Sequence, residues 1–221
     1  MTVFDILGPV MVGPSSSHTA GAVRIGLVCR KLLGSTPQSA DILLHGSFAE
    51  TGLGHGTDRA LIAGLLGMPT DDLDIPHSFE RATEQGMNFS FGKVQLDDAH
   101  PNTAVLDLKA ADGRSLNIQA SSIGGGRICI NKIDGIRTDF TGDYPTLIVH
   151  NLDQPGHVAE VTSMLAHKGV NIATLKLYRN KKGGYAVMIV ETDQGVPDEA
   201  IKWLHRVEGV IKVTYLDVRD E

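Results

Sequence analysis

The chain has 221 residues, 42% of them hydrophobic and 21% charged, with a formal net charge of -6. That balance suits a folded globular protein of one or two domains. It lacks the basic stripe of a general nucleic-acid binder, and no apolar run approaches the ~20 residues needed to cross a bilayer.

The first residues, "MTVFDILGPVMVGP", have no basic start and carry Asp5, so they read poorly as a signal peptide, and a cytoplasmic location is the default expectation. Next comes "GPSSSHTAGAVRIG", three serines and a histidine directly before a helical pattern. Ala22, Ile25, Val28, Cys29 and Leu32 recur on one helical face, Gly34 ends the pattern, and Ser17 or Thr19 is the expected cap. "ADILLHGSF" reads as a strand running into a glycine-rich loop, "HGSFAETGLGHGTD". A second helix, "TDRALIAGLLG", follows, with Thr57 or Asp58 expected as its cap. Strands are expected over 89–96, 104–108, 115–121 and 128–133, which makes this half α+β. "DFTGDYP" suggests a boundary, giving one domain over 1–142 and another over 146–221.

The second half is more regular. A strand over 146–149 leads to "DQPG", and a helix with Val158, Val161, Met164 and Leu165 on one face ends at Gly169. "VNIATLKLYRN" and "YAVMIVET" form a hairpin turning at 180–184. Pro197 opens a helix carrying Ile201, Leu204 and Val207, Gly209 stops it, and "VIKVTYLDV" is the last strand. The order β-α-β-β-α-β is the ferredoxin-like topology.

Two constellations stand out. A helix start leaves amide N–H groups without partners at the positive end of the dipole, so Ser15, Ser16, Ser17 and Thr19 offer either a cap or an anion site. In the second, Gly54, His55, Gly56, Thr57 and Asp58 sit at the next helix start, and a histidine there serves either as a base near neutral pH or as a packed polar group. The segment lacks the P-loop lysine and the dinucleotide fingerprint, and no GxSxG elbow supports a serine hydrolase. A metal hydrolase with His18, His55 and Asp58 as ligands lacks any spaced signature. His45 and His100 are weaker candidates, and His77 has no supporting pattern. "SSIGGGRI" reads as an anion-binding nest or a wide hairpin turn.

With "HPNTAVL" and "SIGGGRI" behind them, these motifs resemble, over essentially the whole chain, the beta chain of bacterial iron–sulfur-dependent L-serine dehydratases, followed by an ACT domain. The resemblance implies conversion of L-serine to pyruvate and ammonia with a [4Fe–4S] cluster and without pyridoxal phosphate. Cluster ligation takes three or four thiolates, and Cys29 and Cys129 are too few, so the cluster would sit on a partner alpha chain. His55 and His18 would then be the candidates for the base that removes the Cα proton. Ser15, Ser16, Ser17 and Thr19 would hold the substrate carboxylate, and Gly54 and Gly56 would let the backbone approach closely. The ACT half implies self-association and an effector site around Asn151, Asp153 and Gly156. The first half also resembles the extra substrate-binding domain of some phosphoglycerate dehydrogenases, which keeps a second reading: a regulatory amino-acid- or anion-binding subunit without catalytic residues.

Overall fold

The computed structural model describes residues 10–217, so the N-terminal stretch weighed as a signal peptide and the last residues of the chain lie outside the description. The chain is α+β and divides into two compact units, 1–135 and 136–221.

The first unit opens with a π-helical turn, Ser16–Ala20, that runs directly into α1, Gly21–Leu33. There follow β1 (Ser39–His45), α2 (Ser47–His55), α3 (Thr57–Leu66), a 3-10 turn at Ile75–His77, α4 (Ser78–Glu84), β2 (Asn88–Lys93), β3 (Thr103–Lys109), β4 (Ser115–Gly124) and β5 (Arg127–Ile133). The strands run β2-β1-β3-β4-β5 in the sheet. Only β1 and β2 are parallel among these neighbours. Alternation along β3 is visible in its burial: Ala104, Leu106 and Leu108 are buried, while Asp107 and Lys109 are exposed. These residues, with Ile42, Ile118, Ile128 and Ile130, face a helical layer supplied by Ile25, Val28, Leu61, Ile62 and Leu65, all fully buried. Each such side chain contributes roughly 1.5–3 kcal/mol of transfer free energy.

α1 and α3 approach until their backbones touch. A Cβ on Gly26 would lie 2.4 Å from Leu61 O, and one on Gly64 would lie 2.0 Å from Val23 O. The two glycines face each other across the crossing.

Three expectations need correction. The segment expected as a glycine-rich loop is largely α2. Fully buried Phe48 anchors it, and Gly52 lies where a Cβ would come within 3.2 Å of Thr57 Cβ. Tertiary packing here overrides the low helix propensity of glycine. The cap of the first helical segment is Ser15, whose Oγ accepts from His18 N at 3.1 Å, rather than Ser17 or Thr19. The N-cap position of α3 is Gly56, with φ 69° and no side-chain cap, because Thr57 already lies inside the helix and Asp58 Oδ1 accepts instead from Arg59 N. Helix α4 was missed altogether. Its seven residues are held by tertiary contacts, with Phe79 against Phe89 at 4.9 Å and the Arg59 guanidinium 4.6 Å from the Phe79 ring centroid. The triple glycine forms a tight hairpin turn between β4 and β5, with Gly125 and Gly126 at φ 62° and 75°.

The second unit opens with β6, Ile136–Phe140. It continues with β7 (Thr146–Leu152), α5 (His157–His167), β8 (Ile172–Arg179), β9 (Tyr185–Thr192), α6 (Asp198–Leu204) and β10 (Val210–Leu216). The strand order β10-β7-β9-β8, all antiparallel, completes the ferredoxin-like βαββαβ fold. Leu147, Val149, Met188 and Val190 from the sheet pack with Val161, Met164 and Leu165 of α5 and Ala200 and Leu204 of α6. Lys176 of β8 donates to Asp139 O and Oδ2 of β6 at 2.8 and 3.0 Å.

Asp153, in the turn before α5, closes onto the β8–β9 hairpin. Its Oδ2 accepts from Gly183 N at 2.8 Å and from Arg179 Nη1 at 3.1 Å. The Gly183 amide first, then the Arg179 guanidinium, hold its carboxyl below the usual carboxylate range. A carboxylate whose pKa is lowered by folding stabilises the fold above its unfolded pKa of about 3.9, and that support is lost as pH falls through the folded value. Asp153→Asn is therefore expected to raise hydrogen exchange at the Gly183 amide near neutral pH and to flatten the acid dependence of that exchange. Unchanged protection would remove the clamp from this account.

Candidate functional site

The π-helical turn bulges the chain just before α1, and Gly21 N donates to Ser16 O across it. That bulge turns His18 toward α2. The His18 and His55 ring centroids are 5.1 Å apart, and Phe48 packs edge-on against His18 at 5.4 Å. Residues 37 positions apart in sequence are thus brought together, because Thr19 Oγ1 donates to His55 O at 3.3 Å and ties the end of α2 to the serine turn.

Hydroxyls surround His18. Its Nδ1 lies 3.1 Å from Ser17 Oγ and 3.4 Å from Ser15 Oγ. Its Nε2 lies 3.1 Å from both Ser47 Oγ and Thr51 Oγ1. Burial, and then the nearby His55 ring, hold the His18 imidazole below its ordinary range. Ser47 and Thr51 were not singled out in the sequence. Their spacing of four residues is a helical signal, but it becomes readable only once the glycine-rich segment is known to be a helix.

The remaining expected residues fall as follows. Ser15, Ser16, Ser17 and His18 are half-buried at the serine turn, Thr19 is buried beneath it, and His55 is exposed at the end of α2. A Cβ added at Gly54 or Gly56 would meet nothing within 4 Å, so the open space over this end of α2 is not filled by the described chain. Thr57 is fully buried and its Oγ1 has no hydrogen-bond partner among the described residues. Asp58 is half-buried and turned to its own helix.

His45 is buried and accepts from Leu96 N at 3.2 Å, which fastens the connection between β2 and β3. At the far end of that connection His100 Nδ1 accepts from Asn102 N at 3.1 Å. The intervening Pro101 carbonyl lies at the start of α2, accepting from Phe48 N at 3.4 Å. Gly46, at φ 55°, allows this approach, since a Cβ there would come within 2.7 Å of Pro101 O. The structure therefore brings the loop of His100 to the same helix start as Ser47. The sequence signal for this was only the Pro101–Asn102 turn.

No iron–sulfur cluster fits this chain. Cys29 lies fully buried in α1, where burial pushes its thiol far above the ordinary range, and Cys129 is on β5. Among the described residues no group of three or more histidines, cysteines and acids is arranged to hold a metal ion, and no helix is long and apolar enough to cross a membrane.

In the second unit Asn151 is buried, its Nδ2 donates to Leu152 O at 2.6 Å, and its Oδ1 has no partner among the described residues. Gly156 stands at the N-cap of α5 with φ 108°. His157 behind it is buried, and Gly209 leaves room for it, since a Cβ there would come within 2.7 Å of Nε2.

Comparison with known proteins agrees with these two units. Residues 2–132 match the family described as "Serine dehydratase beta chain", and residues 145–209 match the ACT domain. The chain is 40% identical over 213 residues to the probable L-serine dehydratase beta chain of Bacillus subtilis, covering 96% of each chain. It is 38% identical over 218 residues to the L-serine dehydratase beta chain of Peptoniphilus asaccharolyticus, covering 98% of each. It is also 25% identical over 201 residues to D-3-phosphoglycerate dehydrogenase of Bacillus subtilis, covering 89% of this chain and 37% of the relative. The chain belongs to the serine dehydratase beta chain family and carries an ACT domain in its C-terminal half.

Proposed function

We propose that this chain is the beta subunit of an L-serine dehydratase, a carbon–nitrogen lyase that works with an alpha chain to convert L-serine to pyruvate and ammonia. The observation that carries the reading is the pairing of His18 and His55 beside a helix start ringed by hydroxyls. The helix-start amides and Ser16 suit the substrate carboxylate, because the dipole end and a free hydroxyl both favour an anion, and Ser15 and Ser17 beside them complete the polar wall of the substrate site. His55 is exposed at the open end of α2 and takes the Cα proton. The C–O bond then breaks, the hydroxyl leaves with the bonding pair and takes up a proton to become water, and the aminoacrylate tautomerises to an imine that water hydrolyses to pyruvate and ammonia. Gly54 and Gly56, with Thr57 and Asp58 behind them, keep the surface around His55 open to the substrate and the partner. The [4Fe–4S] cluster belongs, in this reading, to the alpha chain, since this chain has no thiolate set for it. The working domain limits are 1–142 and 146–221, the location is cytoplasmic, and copies associate through the ACT domain.

Co-expression with an alpha chain tests this directly. The expected result is a complex that forms pyruvate from L-serine, with neither chain active alone. A stable complex carrying a complete cluster but forming no pyruvate would overturn it.

A second, regulatory role is favoured by Asn151 Oδ1, near the end of β7, which has no partner among the described residues. An amino-acid effector would donate to it near Gly156. Asp153 is already engaged by the β8–β9 turn and would have to release it to take part. Calorimetry of the full chain with L-serine is expected to show binding that Asn151→Ala removes. Binding that survives Asn151→Ala would place the effector elsewhere.

A further inference from the structure

Thr51 Oγ1 donates to Ser47 O at 2.9 Å, the usual intrahelical bond of a threonine four residues on. A hydroxyl has one proton, so toward His18 the Thr51 oxygen presents only lone pairs. It stands 3.1 Å from His18 Nε2, as does Ser47 Oγ. An unprotonated Nε2 would set lone pair against lone pair at that distance. A protonated Nε2 donates to both oxygens. The geometry points to Ser47 and Thr51 as positioning residues that hold His18 as the Nε2–H tautomer, with the Nδ1 lone pair turned to the serine turn. This rests on the proposed dehydratase reading only for its catalytic consequence.

That consequence concerns how an amino acid is held. With Nδ1 unprotonated, Ser17 Oγ at 3.1 Å donates its proton to the ring. Ser15 Oγ accepts from His18 N and, at 3.3 Å, can donate to Ser17 Oγ. Ser17 then keeps a lone pair and no proton for the substrate. It suits the α-ammonium of an amino acid, which has only protons to offer, and not the carboxylate. The carboxylate is left to Ser16 and the helix-start amides. The substrate is thereby oriented by a polarity written into the hydroxyl network. A neutral His18 also adds no positive charge 5.1 Å from the His55 ring, so His55 can accept a proton without a cationic neighbour. The lowered position of the His18 titration agrees with a neutral ring near pH 7.

The test reads the ring nitrogens of the full-length chain, labelled with 15N-histidine, by long-range proton–nitrogen correlation at pH 7. His18 is assigned by loss of its signals in His18→Gln. The expected pattern is one protonated nitrogen, Nε2. Thr51→Val is expected to shift His18 toward a tautomer mixture, and Thr51→Ser to restore the single form. A wild-type His18 protonated on Nδ1, or an unchanged pattern in Thr51→Val, overturns the assignment. Should Thr51→Val fail to fold, the wild-type spectrum alone decides. These readouts need no partner and no turnover, so they stand or fall separately from the dehydratase reading. In the active complex, Thr51→Val is expected to raise KM for L-serine about 10-fold or more, with a smaller change in kcat, and Thr51→Ser to recover most of it.

Discussion

Replacing His55 by alanine is expected to lower serine-dependent pyruvate formation by about 10²–10⁴-fold, the usual contribution of a positioned general base. Assembly with the alpha chain should persist, because His55 is exposed and its backbone carbonyl, which accepts from Thr19, is unaffected by the change. In the proposed arrangement the cluster should also persist, since no group among the described residues is arranged to hold a metal. His18→Ala is expected to reduce turnover through a different route. It removes the centre of the hydroxyl ring formed by Ser15, Ser17, Ser47 and Thr51, so the loss should fall on substrate binding as well as on kcat. The measurement is steady-state kinetics on complexes matched for cluster content. Turnover within a few-fold of wild type in both variants would remove the histidines from the mechanism.

The same pair has a pH consequence for the fold. His18 is held below its ordinary range by burial and by His55. The folded state therefore resists protonation that the unfolded chain accepts at about pH 6.5. Stability from this site is fully present above that pH and declines as pH falls from there through the lower folded value.

The largest expected effect on stability lies away from the polar cluster, at the crossing of α1 and α3. Gly64→Ala is expected to destabilise the first unit by roughly 3 kcal/mol or more, at the upper end of overpacking costs. A Cβ there would lie 2.0 Å from Val23 O and 2.8 Å from Gly26 Cα. Both are backbone atoms, so no side chain can swing aside and one helix must move. Interiors packed to crystal density transmit such a shift. Because α1 follows the serine turn and α3 follows His55, the displacement would also disturb the His18–His55 spacing. Denaturant unfolding followed by far-ultraviolet circular dichroism measures the first effect. A midpoint within experimental error of wild type would show that the helices can separate cheaply. Gly54→Ala is the control, since a Cβ there meets nothing within 4 Å among the described residues.

Much of the fold was legible in order and type. Apolar residues at helical spacing marked α1 and α5, and an apolar run marked α3; α5 buries one face in its core, whereas α1 and α3 are buried nearly all round. Alternation and glycine punctuation marked the ferredoxin-like half, and the strand order there followed from its topology. What misled was local propensity. Four glycines between His45 and Thr57 argued for a loop, yet buried Phe48 and the close fit of Gly52 on Thr57 make a helix of most of it. Seven residues at α4 were too few to show a period and depend on Phe79 meeting Phe89.

The sequence by itself determined the family, the division into a serine–histidine half and an ACT half, the two histidines worth testing, and the lack of thiolates for a cluster. These follow from residue identity, order and count. Only the tertiary structure decided that His18 and His55 lie together, that Ser47 and Thr51 close the ring around His18, that the Pro101 loop reaches the start of α2, and that Asp153 is engaged by Gly183 and Arg179. Each of those is a contact between residues far apart in the chain or hidden by a misread segment. Such contacts are set by how buried faces stack and how closely backbones approach, and no local pattern encodes that.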